Sequence, residues 1–334
     1  MRGQSTKRQA PCQVGIDLMG SDIPPLELLK AVLNHARELP SNVHICLFGI
    51  DKLKGRVPRE AKNVKFIPFK QVIYMDDDPL VAIRRKKEST MCTGIRMLKE
   101  GAIQAFISAG NTGALMACAK LSLPDLPNVE RPALLTLIPS QSNEIAVLDV
   151  GANTTYKAKH LIQFAAMGIA YQRSRGIAKP KVGLLNIGSE AKKGTPELQE
   201  AYNYLFKSSK KAGFTFAGNV EGRDVFHKDL DVLVTDGFTG NVFLKTAEGI
   251  ATVILEELEK TSAEGCSDTL KTLLSTMRHR MHYAEYPGAL LCGIDGIVIK
   301  CHGNASPESV ARSITSAARL IEHDFLNRVR QELK

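Results

Sequence analysis

The chain has 334 residues, 44% hydrophobic and 24% charged, a balance that excludes a disordered or fibrous protein and suits a large α/β domain or two smaller ones. Its formal net charge of +9 attracts an anionic partner, but the sign alone does not choose among nucleic acid, an anionic membrane and an acidic protein. Seven cysteines at irregular spacing, with no Cys-x-x-Cys pair, argue for a reducing, cytoplasmic setting and against structural zinc. Residues 1–12 are basic and polar with no apolar run behind them, so a loose tail is expected there, followed by a single α/β domain over 13–334. Short β-rich runs predict strands at 13–17, 43–48, 64–67, 105–108, 145–149, 181–187, 231–235 and 296–300, several of them continuous Val/Ile/Leu runs as in strands buried on both faces. The apolar run 133–138 is among the longest in the chain and falls far short of the roughly 20 residues a membrane-spanning helix needs.

Helical periodicity fills the intervals. Ala158, Leu161, Ile162, Ala165 and Ile169 form one apolar stripe, and Val242, Ile250, Ile254 and Leu258 contribute to another. The β-α alternation predicts a three-layer αβα sandwich with a mostly parallel sheet. In 268–283, Leu270, Leu273, Leu274, Met277 and Met281 recur at helical spacing while Lys271, Arg278, His279, Arg280 and His282 occupy the rest of the surface, which predicts a basic amphipathic helix. Gly265 separates it from the preceding helix, so the two are expected to form a protruding helical hairpin at about 245–285. Packing of this helix on its own domain is the alternative.

Ligands of a parallel sheet bind beyond the carboxyl ends of its strands. Here those positions are polar and glycine-rich: 17–22, 108–113, 149–153, 186–195, 218–224, 236–241 and 300–304. One such loop is explained equally well by a turn needing positive φ. Seven in series describe a site for phosphate or a phosphorylated ligand, because glycine lets backbone N–H groups approach an anion and helix N-termini add partial positive charge. G-x-G-x-x-G, a Walker loop, H-E-x-x-H, a Cys/His cluster and G-x-S-x-G are all missing from the sequence, so no cofactor, no metal and no nucleophilic serine is expected.

The stretches SAGNTGALMA (108–117), LDVGAN (148–153), HLIQFAAMG (160–168), VGLLNIGSEAKKGT (182–195), GNVEGRD (218–224) and DGFTGNVFLKTAEG (236–249) closely resemble the PlsX family of acyl-[acyl carrier protein]:phosphate acyltransferases. MDDDPLVAIRRKKEST (75–90) and GIVIKCHGNAS (296–306) resemble it too, and the likeness runs from about Val14 to Ala318. The sequence departs from the family at Ser21, where a second glycine is usual, at Ser189, where an acidic residue is usual, and at Pro287, where glycine is usual. The resemblance implies a Rossmann-like fold of the phosphotransacetylase and isocitrate dehydrogenase kind. It also implies a cytoplasmic homodimer associated peripherally with the membrane. Its reaction would transfer a fatty acyl group from acyl carrier protein to inorganic phosphate, giving acyl phosphate for a membrane glycerol 3-phosphate acyltransferase in phospholipid synthesis.

That chemistry fits the loops. Phosphate is already a nucleophile, so the protein has to position it against a thioester carbonyl and stabilise the tetrahedral oxyanion with fixed donors. The departing thiol has an ordinary pKa of about 8.5, so a strong general acid is optional. Phosphate and oxyanion contacts are assigned to Asn111, Thr112, Gly113, Asn186, Lys192, Lys193, Arg223, Asn241 and Lys245, with Lys193 and Asn241 closest to the reaction. Asp236 and His302 are candidates for proton handling or for orienting a lysine, and each of these residues has a structural alternative. Lys271, Arg278 and Arg280 are assigned to docking on acyl carrier protein, on anionic lipid or on a second subunit. Two rival readings are a phosphotransacylase using acyl-coenzyme A and a nucleic-acid-binding protein. Aromatic content of 6%, no tryptophan and no reader motif oppose the second, so no nucleic acid is expected.

Overall fold

The structure is a computed structural model that describes residues 11–141, 143–262, 288–303 and 305–334. The basic helix expected at 268–283, with Lys271, Arg278 and Arg280, lies outside the described residues, as do residues 1–10 of the expected tail. Residue Cys12 does not belong to a tail: it is buried and opens the first strand.

Among the described residues the strands are β1 (Cys12–Asp17), β2 (Val43–Ile50), β3 (Val64–Phe69), β4 (Ala105–Ser108), β5 (Ala133–Pro139), β6 (Glu144–Leu148), β7 (Lys181–Leu185), β8 (Thr215–Val220), β9 (Val232–Val234), β10 (Ala289–Cys292) and β11 (Ile297–Lys300). The helices are α1 (Pro25–Ala36), α2 (Pro79–Arg85), α3 (Thr90–Lys99), α4 (Thr112–Ser122), α5 (Ala158–Ser174), α6 (Pro196–Ser209), α7 (Gly237–Ser262), α8 (Pro307–Glu322) and α9 (Phe325–Glu332). All eight expected strands are present, with ends shifted by a few residues at most. Where the sequence reads as one domain over 13–334, the chain divides into two compact units, 1–123 with 296–322 and 124–295 with 323–334.

In the first unit the strands run β3-β2-β1-β4-β11, each pair parallel. Both faces of β4 and β11 are buried, as their apolar sequences require; α3, α4 and α8 pack on the strands, and α1 packs against α8. Local chemistry starts the helices: Asp78 caps α2 through the Val81 amide, and Ser89 caps α3 through the Cys92 amide.

In the second unit the order is β10-β5-β6-β9-β7-β8, with β10–β5 and β5–β6 antiparallel and the remaining pairs parallel. Helix α5 buries Leu161, Phe164, Ala165 and Ile169, close to the stripe expected for it. The stripe expected on α7 behaves differently, since Val242, Ile250 and Ile254 are about half exposed in the described chain while Leu255 is buried. Helix α7 starts at Gly237, and the second arm of the hairpin expected at about 245–285 lies outside the described residues. No described helix is long and apolar enough to cross a membrane.

Candidate functional site

At the carboxyl ends of β1, β4 and β11, the first unit carries a buried polar cluster. Asp17 is 2% exposed and accepts hydrogen bonds from the Met19 amide (3.0 Å), Ser108 Oγ (3.1 Å) and the Thr90 side chain. Lys300, also buried, donates through Nζ to the carbonyls of Ala109 and Cys301. Asn111 caps α4 by accepting from the Ala114 amide (3.0 Å), and its Nδ2 donates to the carbonyls of Tyr74, Met75 and Asp77 at 3.3, 3.0 and 2.9 Å. Its amide therefore clamps the 74–77 loop to α4, which leaves nothing of the side chain to hold a phosphate. Thr112 and Gly113 form the exposed first turn of α4, and His302 is exposed in the loop after β11.

Burial pushes the Asp17 carboxyl up to about 7, against the pull of its three donors. The unfolded chain ionises this group near pH 3.8, whereas the folded chain keeps its proton until about pH 7. Folding is therefore favoured below that window, and stability falls as pH rises through it, by about 1.4 kcal/mol per pH unit and roughly 4 kcal/mol in all. Urea denaturation of the Asp17→Asn variant at a series of pH values should show a flatter profile than wild type between pH 4 and 7. Parallel profiles would mean that Asp17 titrates normally in the folded protein.

In the second unit, Asp149 follows β6 and is fully buried. It accepts from the amides of Leu134 (3.0 Å), Gly151 (3.1 Å), Ala152 (2.9 Å) and Asn153 (2.8 Å), and from Asn153 Nδ2 (2.8 Å). The first turn of α7 locks onto this loop: the Gly237 amide donates to the Asn153 carbonyl, and Asn241 Nδ2 donates to the Val150 carbonyl at 3.1 Å. Gly240 is required by that approach, because a Cβ there would lie 1.9 Å from the Asp149 carbonyl oxygen. Asp236 caps α7, accepting from the Phe238 and Thr239 amides on one oxygen and from Thr239 Oγ1 on the other. These three hydrogen bonds make Asp236 the cap of α7.

The loop after β7 is built inside out. Asn186 Nδ2 donates to the Lys193 carbonyl, Asn219 Nδ2 to the Glu190 carbonyl, and Gln199 Nε2 to the carbonyls of Lys192 and Gly194. Gly194, at φ +84°, lies so close to Asn186 that a Cβ would meet its Oδ1 at 2.6 Å. With the carbonyls turned toward these side chains, the amides of Gly188, Ser189, Glu190, Ala191 and Lys192 have no acceptor among the described residues. Lys192 and Lys193 flank them; Lys193 is about half exposed, and its Nζ stands 4.0 Å from the Glu190 carboxylate.

The structure thus joins Asn241 to the Asp149 loop, and Asn186, Lys192 and Lys193 to one another. Arg223 and Lys245 are engaged locally: Arg223 is exposed beside Glu221 and Asp224, and Lys245 pairs with Glu248 at 2.6 Å. Asp149, Asn153 and Asn219 were missed as site-building residues, whereas Asp17, read from the sequence as a turn cap, does accept from the Met19 amide. A lone Asp closing an apolar strand ahead of Gly and Asn was the available signal for Asp149. Asn219 is 2% exposed, and its Oδ1 has no partner among the described residues.

The family described as fatty acid synthesis protein matches residues 12–328. This chain belongs to that family. Its membership confirms the PlsX resemblance carried by the loop motifs and makes the chain an acyltransferase. Relatives in the family include the phosphate acyltransferase of Thermoanaerobacter pseudethanolicus, 38% identical over 328 residues, which are 96% of this chain and 97% of the relative. The phosphate acyltransferase of Chlamydia pneumoniae is 38% identical over 332 residues, covering 96% and 99% of the two chains. Among solved structures, the EutD phosphotransacetylase from Staphylococcus aureus superposes with a TM-score of 0.62 at 14% identity, covering 92% of this chain and 94% of that one. A branched-chain phosphotransacylase from Enterococcus faecalis V583 gives 0.60 at 16% identity, covering 93% and 99%. At such identities the likeness shows the fold, a mixed α/β architecture with mostly parallel strands, as expected from the sequence.

Proposed function

We propose that this family member joins inorganic phosphate to a fatty acyl group taken from acyl carrier protein, releasing acyl phosphate for acylation of glycerol 3-phosphate in phospholipid synthesis. One observation carries the site assignment: five backbone amides in 188–192 with no acceptor among the described residues lie beside Lys192 and Lys193 at the carboxyl end of a parallel strand. Fixed N–H dipoles with adjacent ammonium groups hold a phosphate dianion without a metal and need no reorganisation as the reaction proceeds. A phosphate oxygen attacks the thioester carbon, the C–O bond forms, and the tetrahedral oxyanion collapses with cleavage of the C–S bond. The thiolate takes its proton from solvent. Lys193 stabilises the phosphate and the developing oxyanion, while Asn186 and Asn219 keep the loop's amides outward and Asn241 fixes the neighbouring 149–153 loop.

Acyl carrier protein is strongly acidic, and the net charge of +9 suits such a donor. In this reading the basic residues Lys271, Arg278 and Arg280 receive it, the protein works as a homodimer, and it associates peripherally with the membrane beside the next acyltransferase. Purified protein given phosphate and either acyl-carrier thioester or acyl-coenzyme A, with hydroxylamine trapping, tests the reaction. Acyl hydroxamate should form from the carrier thioester, require phosphate, and persist in chelator. Rapid turnover of the coenzyme A thioester with the carrier thioester ignored would instead establish the phosphotransacylase reading.

A further inference from the structure

We infer that the second half of α6 is a docking surface for an acidic protein, and that its occupant is the acyl carrier of the reaction proposed above. The identity of the partner rests on that reading, whereas the surface rests on α6 itself. From Ala201 to Val220 the chain has three lysines, Lys207, Lys210 and Lys211, and no Asp, Glu or Arg. All three are exposed, and none forms an ion pair among the described residues. At about 3.6 residues per turn they share one half of the helix surface with Tyr204 and Phe206, opposite the buried Ala201 and Leu205. Tyr204 is 52% exposed and Phe206 51%, two large apolar groups left open among cations. The acids of α6, Glu197 and Glu200, lie in its first two turns.

Neighbouring groups fix the patch in place. The Phe206 ring stacks on Tyr202 at 6.3 Å between centroids, and Tyr202 in turn meets Phe216 of β8 edge-on at 5.2 Å. Lys210 Nζ sits 5.3 Å from the centre of the Phe206 ring, a cation–π contact. Beyond the helix, Arg173 of α5 donates to the carbonyls of Ala212 (3.0 Å) and Gly213 (2.8 Å) and pins the following turn. A partner therefore meets ordered aromatic and cationic groups, with little freedom left to lose at Phe206.

Lysines near the end of a helix also suit its negative pole, which explains their sign but not the two open aromatic rings. A membrane-surface helix lays its apolar face into lipid, whereas α6 turns that face onto its own unit through Ala201 and Leu205. Anchoring rings among cations instead match a folded partner with an apolar spot inside an acidic surface. The position of α6 fits the same partner. Thr195 caps the helix through the Leu198 amide, directly after the 188–192 amides, and the helix is 14 residues long. Its far end thus lies about 20 Å along the helix from the proposed phosphate site, a distance that a thioester carried on a flexible arm crosses. This surface adds to Lys271, Arg278 and Arg280 as a contact for the carrier.

Kinetics of the full chain with the carrier thioester as the varied substrate test this. In the triple variant Lys207→Glu, Lys210→Glu, Lys211→Glu, KM for the carrier thioester should rise by about 10-fold or more. Turnover at saturating carrier and KM for phosphate should stay as in wild type. Glutamine at the same three positions, which keeps the length of the stems, should give a smaller rise with the same pattern. Phe206→Ser should raise the same KM without altering its salt dependence. Wild-type KM should climb with sodium chloride, and that of the charge variants should stay flatter. An unchanged KM for the carrier in both charge variants would overturn the docking surface while leaving the reaction intact. If that result came with lost binding to phosphatidylglycerol vesicles, the surface would face lipid instead. No product from the carrier thioester in the wild-type protein would overturn the reaction itself, and the carrier as occupant with it.

Discussion

Replacing Lys193 by alanine should lower turnover with phosphate and acyl-carrier thioester by about 10²-fold or more, the scale of losing one oxyanion donor. Stability should hardly change. The side chain is about half exposed, and its recorded partner is Glu190 at 4.0 Å, a surface pair worth at most about 1 kcal/mol. Glu190→Gln supplies the control. If Lys193 served only that ion pair, both variants would behave alike, with a small shift in melting temperature and near-normal kinetics. If it meets the phosphate and the oxyanion, only the lysine variant loses activity, and Lys193→Arg restores part of it because the charge remains while the geometry changes.

The contrast between Lys193 and the asparagines shows what could be read from sequence. Residue types and spacing place polar loops at strand ends, and the eight expected strands carry those loops to the right edge of each unit. Spacing does not say whether an Asn faces a ligand or the chain. Asn111, Asn186 and Asn241 were all read as ligand contacts, yet each donates its side-chain amide to backbone carbonyls, Asn111 and Asn241 to a neighbouring loop and Asn186 within its own. The same side chain can cap, clamp or bind, and the acceptor that decides can lie far away in sequence, 91 residues away for Asn241 and Val150. Similar logic explains the strands that went unread. β8 holds Gly218 and Asn219 and resembles a turn, while β5, read only as an apolar run, and the four-residue β10 gain their identity from pairing with each other. The apolar stripe on α7 shows the converse, since period 3.6 reports amphipathicity and not which surface receives it.

Asp149→Ala should be the most destabilising single change in the second unit. It removes the one acceptor shared by the amides of Leu134, Gly151, Ala152 and Asn153 and by the Asn153 side chain, all around a fully buried carboxylate. Burial raises the Asp149 pKa, and these donors oppose that rise, so the carboxyl is held by hydrogen bonds and not by an ion pair. Each buried donor left without a partner costs about 1–3 kcal/mol, and water entering the space recovers only part of that. A net loss of about 4 kcal/mol is a large part of the 5–15 kcal/mol that folded proteins hold, and corresponds to a fall of about 10 °C or more in melting temperature. Asp149→Asn should fall between the two, since its amide keeps one acceptor oxygen but sets an NH2 group against other donors. Activity should follow stability here, because the 149–153 loop receives Gly237 and Asn241 of α7 and no longer fixes them once the carboxylate is gone. That separates it from Lys193→Ala, which loses turnover while remaining folded. Calorimetry and urea denaturation of both variants decide the matter: a wild-type midpoint for Asp149→Ala would show that the five donors find other acceptors and that the carboxylate is not what holds the loop.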